Sequence, residues 1–302
     1  MLKFITPLVV CLLAVVSKAS ASPITLSTLD LVGTATLQSP NLVRLTTNLD
    51  TPTVDPPAGA AWTSTALNVA DPFAVSFSFH MWNPNPDAQK DPADGSAGDG
   101  IAFVIQNDFR GTNAIGRGAG GMGFMGIFDS LAVMFDTYQN NPQYGDPNGN
   151  YIGVNTRGTD FNVPHHFCTD HQLTTDTSLP PDLPGVSCTG NPGLAMTTTV
   201  LPRLDGDVHS ALIVYNLGQL AIYLDSVPVL TAVVDLGSTL SLQGGNSAYL
   251  GFTAGTRGSF QDQDILDFSY TAIPEPTPAV TFGAGLVLLG VLGWTRKRTA
   301  AR

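Results

Sequence analysis

Apolar runs of five to eight residues recur along almost the whole chain, each closed by Gly, Pro, Asn or Asp. They include "LDLVGTATL", "NLVRLTT", "FAVSFSFHMW", "GIAFVIQ", "SLAVMFDTY", "YIGVN", "HSALIVYN", "QLAIYLD", "VLTAVVDL", "AYLGFTAGT" and "DILDFSYTA". Runs this short suit strands, and the Gly and Pro between them supply the φ values that reverse a chain. The spacing predicts an all-β fold, an antiparallel sandwich. In "FAVSFSFHMW" the alternation is strict: Phe73, Val75, Phe77 and Phe79 take one face, Ala74, Ser76, Ser78 and His80 the other. One face is therefore core and the other wet, with His80 an outward strand residue. "QLAIYLDSVPVLTAVVDL" reads as a hairpin turning at "DSVP". No helical period and no internal repeat occur between the two ends.

At 302 residues the chain has length for one large β domain or two smaller ones. The formal net charge of −11 argues against nucleic acid, which needs clustered Lys and Arg, and permits a cation. A single glutamate, Glu275, lies near the C-terminus, so every acid of the central region is an aspartate.

Both ends read as addresses. Lys3, the apolar "FITPLVVCLLAVV" and Ala19-Ser20-Ala21 have the layout of a secretory signal cut after Ala21, which takes Cys11 with it. The C-terminal segment 273–302 joins Pro274-Glu275-Pro276, an apolar run over 279–294 and Arg296-Lys297-Arg298. That order resembles the PEP-CTERM sorting signal of Gram-negative bacteria, which implies a sorting protease as partner and export to the cell surface or beyond. As a helix the run is about 24 Å long, shorter than the roughly 30 Å hydrocarbon core, so transient membrane insertion is expected rather than a permanent span. The basic cluster stays on the cytoplasmic side.

Residues 156–200 carry few apolar runs and much Pro, Thr and Asp, and read as a long loop or insertion. Cys168 and Cys188 lie there, and in an exported protein the two remaining cysteines most simply pair. Closing that loop stabilises by roughly 3 kcal/mol on the chain-entropy model. Zinc is the alternative, since His165, His166 and His171 crowd Cys168, although the spacing fits no standard zinc pattern.

The polar exit of "VMFDTYQN" offers chemistry. Calcium takes oxygen ligands, and Asp136, Asn140 and Asp146, with the Tyr138 carbonyl, supply four within one short segment. An EF-hand reading of Asp146, Asn148 and Asn150 fails, because no Gly stands at the sixth position and no Glu closes the loop. Asp129, Asn141, Asn148 and Asn150 are further oxygens nearby.

Taken in order, "GDGIAFVIQND" (98–108), "GAGGMGFMGIFDSLAVMFDTYQN" (118–140), "GDPNGNYIGVN" (145–155), "ALIVYNLGQLAIYLD" (211–225) and "YLGFTAGTRGSFQDQDILDFSY" (249–270) resemble the legume-type, or L-type, lectins over roughly residues 24–272. The resemblance implies a concanavalin A-like jelly-roll sandwich that binds carbohydrate over calcium. Within it Asp99, after a cis peptide, accepts from sugar hydroxyls. Asn140 donates to the sugar while its oxygen faces calcium. Tyr138 stacks on the sugar and lends its carbonyl to the metal, and Asp136 and Asp146 are calcium carboxylates. Gly121 and Gly123 belong to a loop whose backbone N–H points at the sugar. The loop 255–261, with Gly258 and Ser259, helps choose the monosaccharide. The family's transition-metal ligands fall at Met134 and Tyr151, which cannot serve, so that second metal is expected to be absent. The interval from Asp136 to Asp146 is one residue longer than the family pattern. A homodimer is a further expected partner.

These readings imply a non-enzymatic, exported, calcium-dependent carbohydrate-binding protein. A matrix protein on the same fold without sugar binding is the alternative. A glycoside hydrolase is less favoured: the E-x-D-x-x-E strand of sandwich hydrolases needs Glu, and Asp262 with Asp264, or Asp205 with Asp207, read as turn residues.

Overall fold

The computed structural model describes residues 22–49, 57–91, 94–140, 146–164 and 193–273. One compact unit spans Ala21–Ala272, and a second comprises Met1–Ser20 with Ile273–Arg302, of which only Ile273 is described. The signal segment 1–21, the segment after 273, Asn141, His165, His166, His171 and both Cys168 and Cys188 lie outside the described residues. Among the described residues no helix is long and apolar enough to cross a membrane.

Among the described residues, sixteen strands form the larger unit. In chain order they are β1 (Ser22–Pro23), β2 (Asp30–Gly33), β3 (Thr36–Ser39), β4 (Leu42–Thr46), β5 (Ala58–Trp62), β6 (Leu67–Asn68), β7 (Phe73–Trp82) and β8 (Gly100–Gln106). There follow β9 (Ser130–Asp136), β10 (Tyr151–Thr156), β11 (Ala195–Met196), β12 (Val208–Asn216), β13 (Gln219–Leu224), β14 (Val227–Val233), β15 (Ser247–Gly255) and β16 (Asp262–Ala272). The back sheet runs β14-β13-β12-β7-β16-β4-β3, and the front sheet runs β11-β10-β9-β8-β15-β5-β2. Among the described residues the pairings between these named strands are antiparallel, and the result is a jelly-roll sandwich.

The two sheets explain two kinds of apolar run. β7 lies in the back sheet, and its buried residues Phe73, Val75, Phe77, Phe79 and Met81 alternate with more exposed ones, as the sequence pattern requires. β8 and β9 are buried at every position, because the front sheet is covered on both faces. One face meets the back sheet through Phe77, whose ring lies 5.9 Å from Phe103, 5.7 Å from Phe135 and 4.9 Å from Phe252. The other face carries a second cluster with Trp62, Met122, Phe124, Met134 and Tyr151, where Trp62 Nε1 donates to Ala114 O at 2.8 Å. Each aromatic pair adds about 0.5–1.5 kcal/mol beyond its area.

The hairpin forms as expected, with Asp225 and Ser226 alone in the turn at φ 48° and 67°, while Val227 and Pro228 already belong to β14. The long loop is packed at its start: Phe161, Asn162 and Val163 are buried, and Asn162 Nδ2 donates to Ser130 O and Asn155 O. Among the described residues the one α-helical turn, Leu236–Thr239, is capped by Asp235, which accepts from Gly237 N and Ser238 N.

Asp262 and Asp264 correct an expectation. They lie in β16 rather than on a turn, buried, because Arg44 on the adjacent strand β4 holds both. Arg44 Nε and Nη2 each lie 2.7 Å from an Asp264 oxygen, Nη1 lies 2.9 Å from Asp262 Oδ2, and Trp82 Nε1 donates to Asp264 at 2.8 Å. Arg44→Met leaves two buried carboxylates without their cation. It is expected to destabilise by about 3–5 kcal/mol, lowering the melting temperature by roughly 10 °C.

Asp108 pins the loop at the far end of β8. It accepts from Arg110 N at 2.9 Å, Nε at 2.8 Å and Nη2 at 2.7 Å, and from Phe128 N at 2.7 Å. Burial pushes its carboxyl up, but the Arg110 guanidinium and the two N–H donors outweigh that and hold it below the ordinary value. A depressed folded value means stability present above the unfolded pKa of about 3.9 and lost as pH falls through the folded one. Thermal melts of Asp108→Asn between pH 6 and 2 are expected to start lower than wild type and to show a shallower acid decline.

Candidate functional site

Strand register brings the site residues together. Asp136 ends β9 opposite Gly100 of β8 on one side and Tyr151 of β10 on the other, and Gly100 faces Gly255 at the end of β15. The segments 94–99, 137–140, 146–150 and 256–261 thus leave the front sheet at one end.

Asp99 is fixed by its backbone. The Gly98–Asp99 peptide is cis. Asp99 N donates to Gly255 O at 3.1 Å, and Asp99 O accepts from Thr137 N at 3.0 Å. Gly98 is required because the Tyr138 side chain crosses it: an added Cβ would lie 2.6 Å from Tyr138 Cβ. Ser96 Oγ donates to Thr137 O at 2.7 Å, and Gln261 Nε2 donates to Thr137 Oγ1 at 3.1 Å.

The side chains then converge. The Asn140 amide and the Arg257 N–H lie beside the Asp99 carboxylate and favour its charged form, yet Asp99 Oδ2 and Asn140 Oδ1 are buried without a hydrogen-bond partner. Asp136 Oδ1 accepts from Tyr138 N at 2.9 Å, and Asp146 Oδ2 accepts from Asn140 N at 2.7 Å. The Tyr151 hydroxyl donates to Asp146 Oδ1 at 2.6 Å and also interacts with Asp136. Asp91, buried eight residues before Asp99, accepts from Gln139 N at 2.6 Å.

This is an electrostatically loaded cluster. Burial raises Asp99 to about 8, with Asp146 adding to the rise and the Asn140 hydrogen bond opposing it. Burial and the Asp146 charge raise Asp136 well above the carboxylate range. Burial raises Asp146 to about 6 against the hydrogen bonds from Tyr151 and Asn140. The Tyr138 phenol is pushed up by burial and by Asp99 and Asp91. Among the described residues no lysine or arginine ion-pairs with Asp99, Asp136 or Asp146.

The structure brings Asp99, Asp136, Tyr138, Asn140 and Asp146 together and revises the roles of others. Gly121 N donates to Gly118 O and Gly123 N to Arg117 O, so both N–H groups close their own loop instead of projecting outward. Gly123 is needed for packing: at φ 72°, an added Cβ would meet Ala254 O at 2.6 Å. Ser259 is buried, and its Oγ accepts from Gly98 N at 2.7 Å, so it supports the Asp99 peptide. Gly258 stays partly exposed, with its O accepting from Gln89 N at 2.7 Å. Asp129 sits at the opposite end of β9, bonded to Ser241 N. Asn148 and Asn150 serve the local chain, Asn148 Oδ1 accepting from Asn150 N and Asn150 Oδ1 from Leu204 N. Sequence reasoning missed Asp91, Ser96, Gln261 and the structural use of Tyr151, none of which falls in a local pattern.

The donor set suits a hard cation. Among the described residues no three acidic, His or Cys side chains form a cation cluster by themselves. The arrangement is mixed, with two carboxylates, an amide oxygen left without a donor and a nearby backbone carbonyl, which is the oxygen chemistry calcium takes. Met134 is buried in the apolar cluster and takes a contact from Asn155 Nδ2 at 3.4 Å, so it offers no oxygen for a second ion.

Known proteins resemble this chain in sequence and in fold. Residues 24–282 match the legume lectin domain. A probable L-type lectin-domain containing receptor kinase S.7 of Arabidopsis thaliana is 26% identical over 208 residues, 67% of this chain and 26% of the plant protein, so the chain spans about a quarter of that relative's length. Among solved structures, lectin I from Ulex europaeus, in complex with the methyl glycoside of α-L-fucose, superposes with a TM-score of 0.58 at 18% identity, covering 84% of this chain and 98% of its own. Peanut lectin gives 0.54 at 21% identity over 86% and 100%, and the VIP36 exoplasmic/lumenal domain in its Ca2+/Man-bound form gives 0.52 at 17% over 83% and 85%. The chain belongs to the legume lectin domain family.

Proposed function

We propose that this protein is a non-enzymatic, calcium-dependent carbohydrate-binding protein acting on cell-surface or extracellular polysaccharide glycans. The observation that carries the reading is the pair of orphaned buried oxygens, Asp99 Oδ2 and Asn140 Oδ1, on neighbouring side chains. An unsatisfied buried oxygen costs about 1–3 kcal/mol, more when charged, so two together mark a place that an outside partner completes. Asp136, Asn140 Oδ1, Asp146 and the Tyr138 carbonyl would hold the calcium. When bound, calcium supplies the positive charge that three buried carboxylates lack. Asp99 accepts from sugar hydroxyls, the Asn140 amide donates to one, and Tyr138, partly exposed, offers its ring face.

Hydrolysis is disfavoured by how the remaining acids are used. Asp262 and Asp264 are committed to Arg44, and Asp205 is bonded by Arg203 at 2.9 Å. The signal-like segment 1–21 and the PEP-CTERM-like segment 273–302 extend the reading to an exported protein sorted at its C-terminal end. The test is a glycan array probed with residues 22–272 in calcium and in chelator. Signals present in calcium and absent in chelator support the reading; signals absent in both favour a matrix protein on a lectin fold.

A further inference from the structure

The Tyr151 phenol links the apolar cluster beneath the site to the carboxylates above it. Its ring is fully buried with Trp62, Phe124 and Met134, and its Cα lies opposite Asp136 in the β9–β10 register. The hydroxyl donates to Asp146 Oδ1 at 2.6 Å, a length typical of a charge-assisted O–H···O bond, and interacts with Asp136 as well. The other anchors are the N–H groups of Tyr138 on Asp136 and Asn140 on Asp146. Those two residues also carry the carbonyl and the amide oxygen of the proposed donor set. Among the described residues the phenol is the anchor of Asp146 that comes from a strand, since the other hydrogen bond to its carboxylate comes from Asn140 N in the segment after β9.

We propose that Tyr151 is a positioning residue for calcium. Resting on the lectin reading above, it orients Asp146 against Asp136 by a hydrogen bond whose origin is fixed by core packing, and it is not itself a ligand. The ring sets where the hydroxyl stands, and the hydroxyl sets which lone pairs remain for the cation. Partners of this kind, one bond behind a ligand, change metal affinity by about 10- to 100-fold.

Tyr151→Phe keeps the ring and removes only the hydroxyl. Met134→Leu disturbs the same cluster without touching a carboxylate. Calcium titration by calorimetry on wild type and both variants, with thermal melts in chelator, tests the proposal. The expected result is cooperative melting in all three, calcium affinity about 10-fold or more weaker in Tyr151→Phe, and wild-type affinity in Met134→Leu. Wild-type affinity in Tyr151→Phe overturns the positioning role and leaves the calcium reading standing. Equal weakening in both variants also overturns it, assigning the effect to packing. A wild type that takes up no calcium overturns the lectin reading and the positioning role with it.

Discussion

Asp99→Ala is expected to erase glycan retention while leaving calcium uptake in place. Asp99 supplies none of the proposed calcium donors, but its Oδ2 is buried and unpartnered beside the Asn140 amide. Hydrogen bonds to a charged acceptor each contribute about 1.5–3 kcal/mol, so losing two to sugar hydroxyls weakens binding by more than about 100-fold. The Asp99 backbone bonds to Gly255 O and Thr137 N do not involve the side chain and survive the change. Glycan titration in saturating calcium, beside calcium calorimetry on the same variant, reads the two effects separately. Loss of calcium uptake in parallel would place Asp99 among the ligands instead.

Asp136→Ala is expected to remove both activities. Asp136 sits at the join of three strands and is 1% exposed, with Asp146 and Tyr151 on the same cluster. Removing a carboxylate ligand from a four-donor set is expected to weaken calcium by at least about 100-fold, and glycan retention falls with it. The calcium-free protein should respond in the opposite sense. A buried carboxylate without a cation is a cost to the fold, so melting in chelator should be no lower than wild type. A variant that loses calcium and also melts much lower in chelator would mean that Asp136 mainly supports the strand end.

What the sequence made legible follows physical range. The alternation in "FAVSFSFHMW" revealed a sheet with one covered face, and the unbroken runs of β8 and β9 are what a sheet covered on both faces produces. The cluster from Asp136 to Asp146 was readable because its donors fall within one short segment. Asp99 lies 37 positions before Asp136, and only the resemblance to a family joined them; the cause is the Gly100–Asp136 pairing. Contacts set by register alone stayed hidden. Arg44 and Asp264 are 220 positions apart, which is why a buried ion pair looked like a turn. Ser259 reaches Gly98 across 161 positions, so a residue placed on the sugar loop turned out to hold the peptide behind it. Tyr151 cannot serve a transition metal, and its hydroxyl takes its role from a contact that only the fold makes, the 2.6 Å bond to Asp146 Oδ1.

Calorimetric titration of calcium into wild-type residues 22–272, pretreated with chelator and dialysed, tests the central claim most directly. The account predicts saturable uptake of one equivalent, with glycan binding appearing only after that equivalent is added. No heat of calcium binding, together with glycan retention that chelator leaves unchanged, would contradict it.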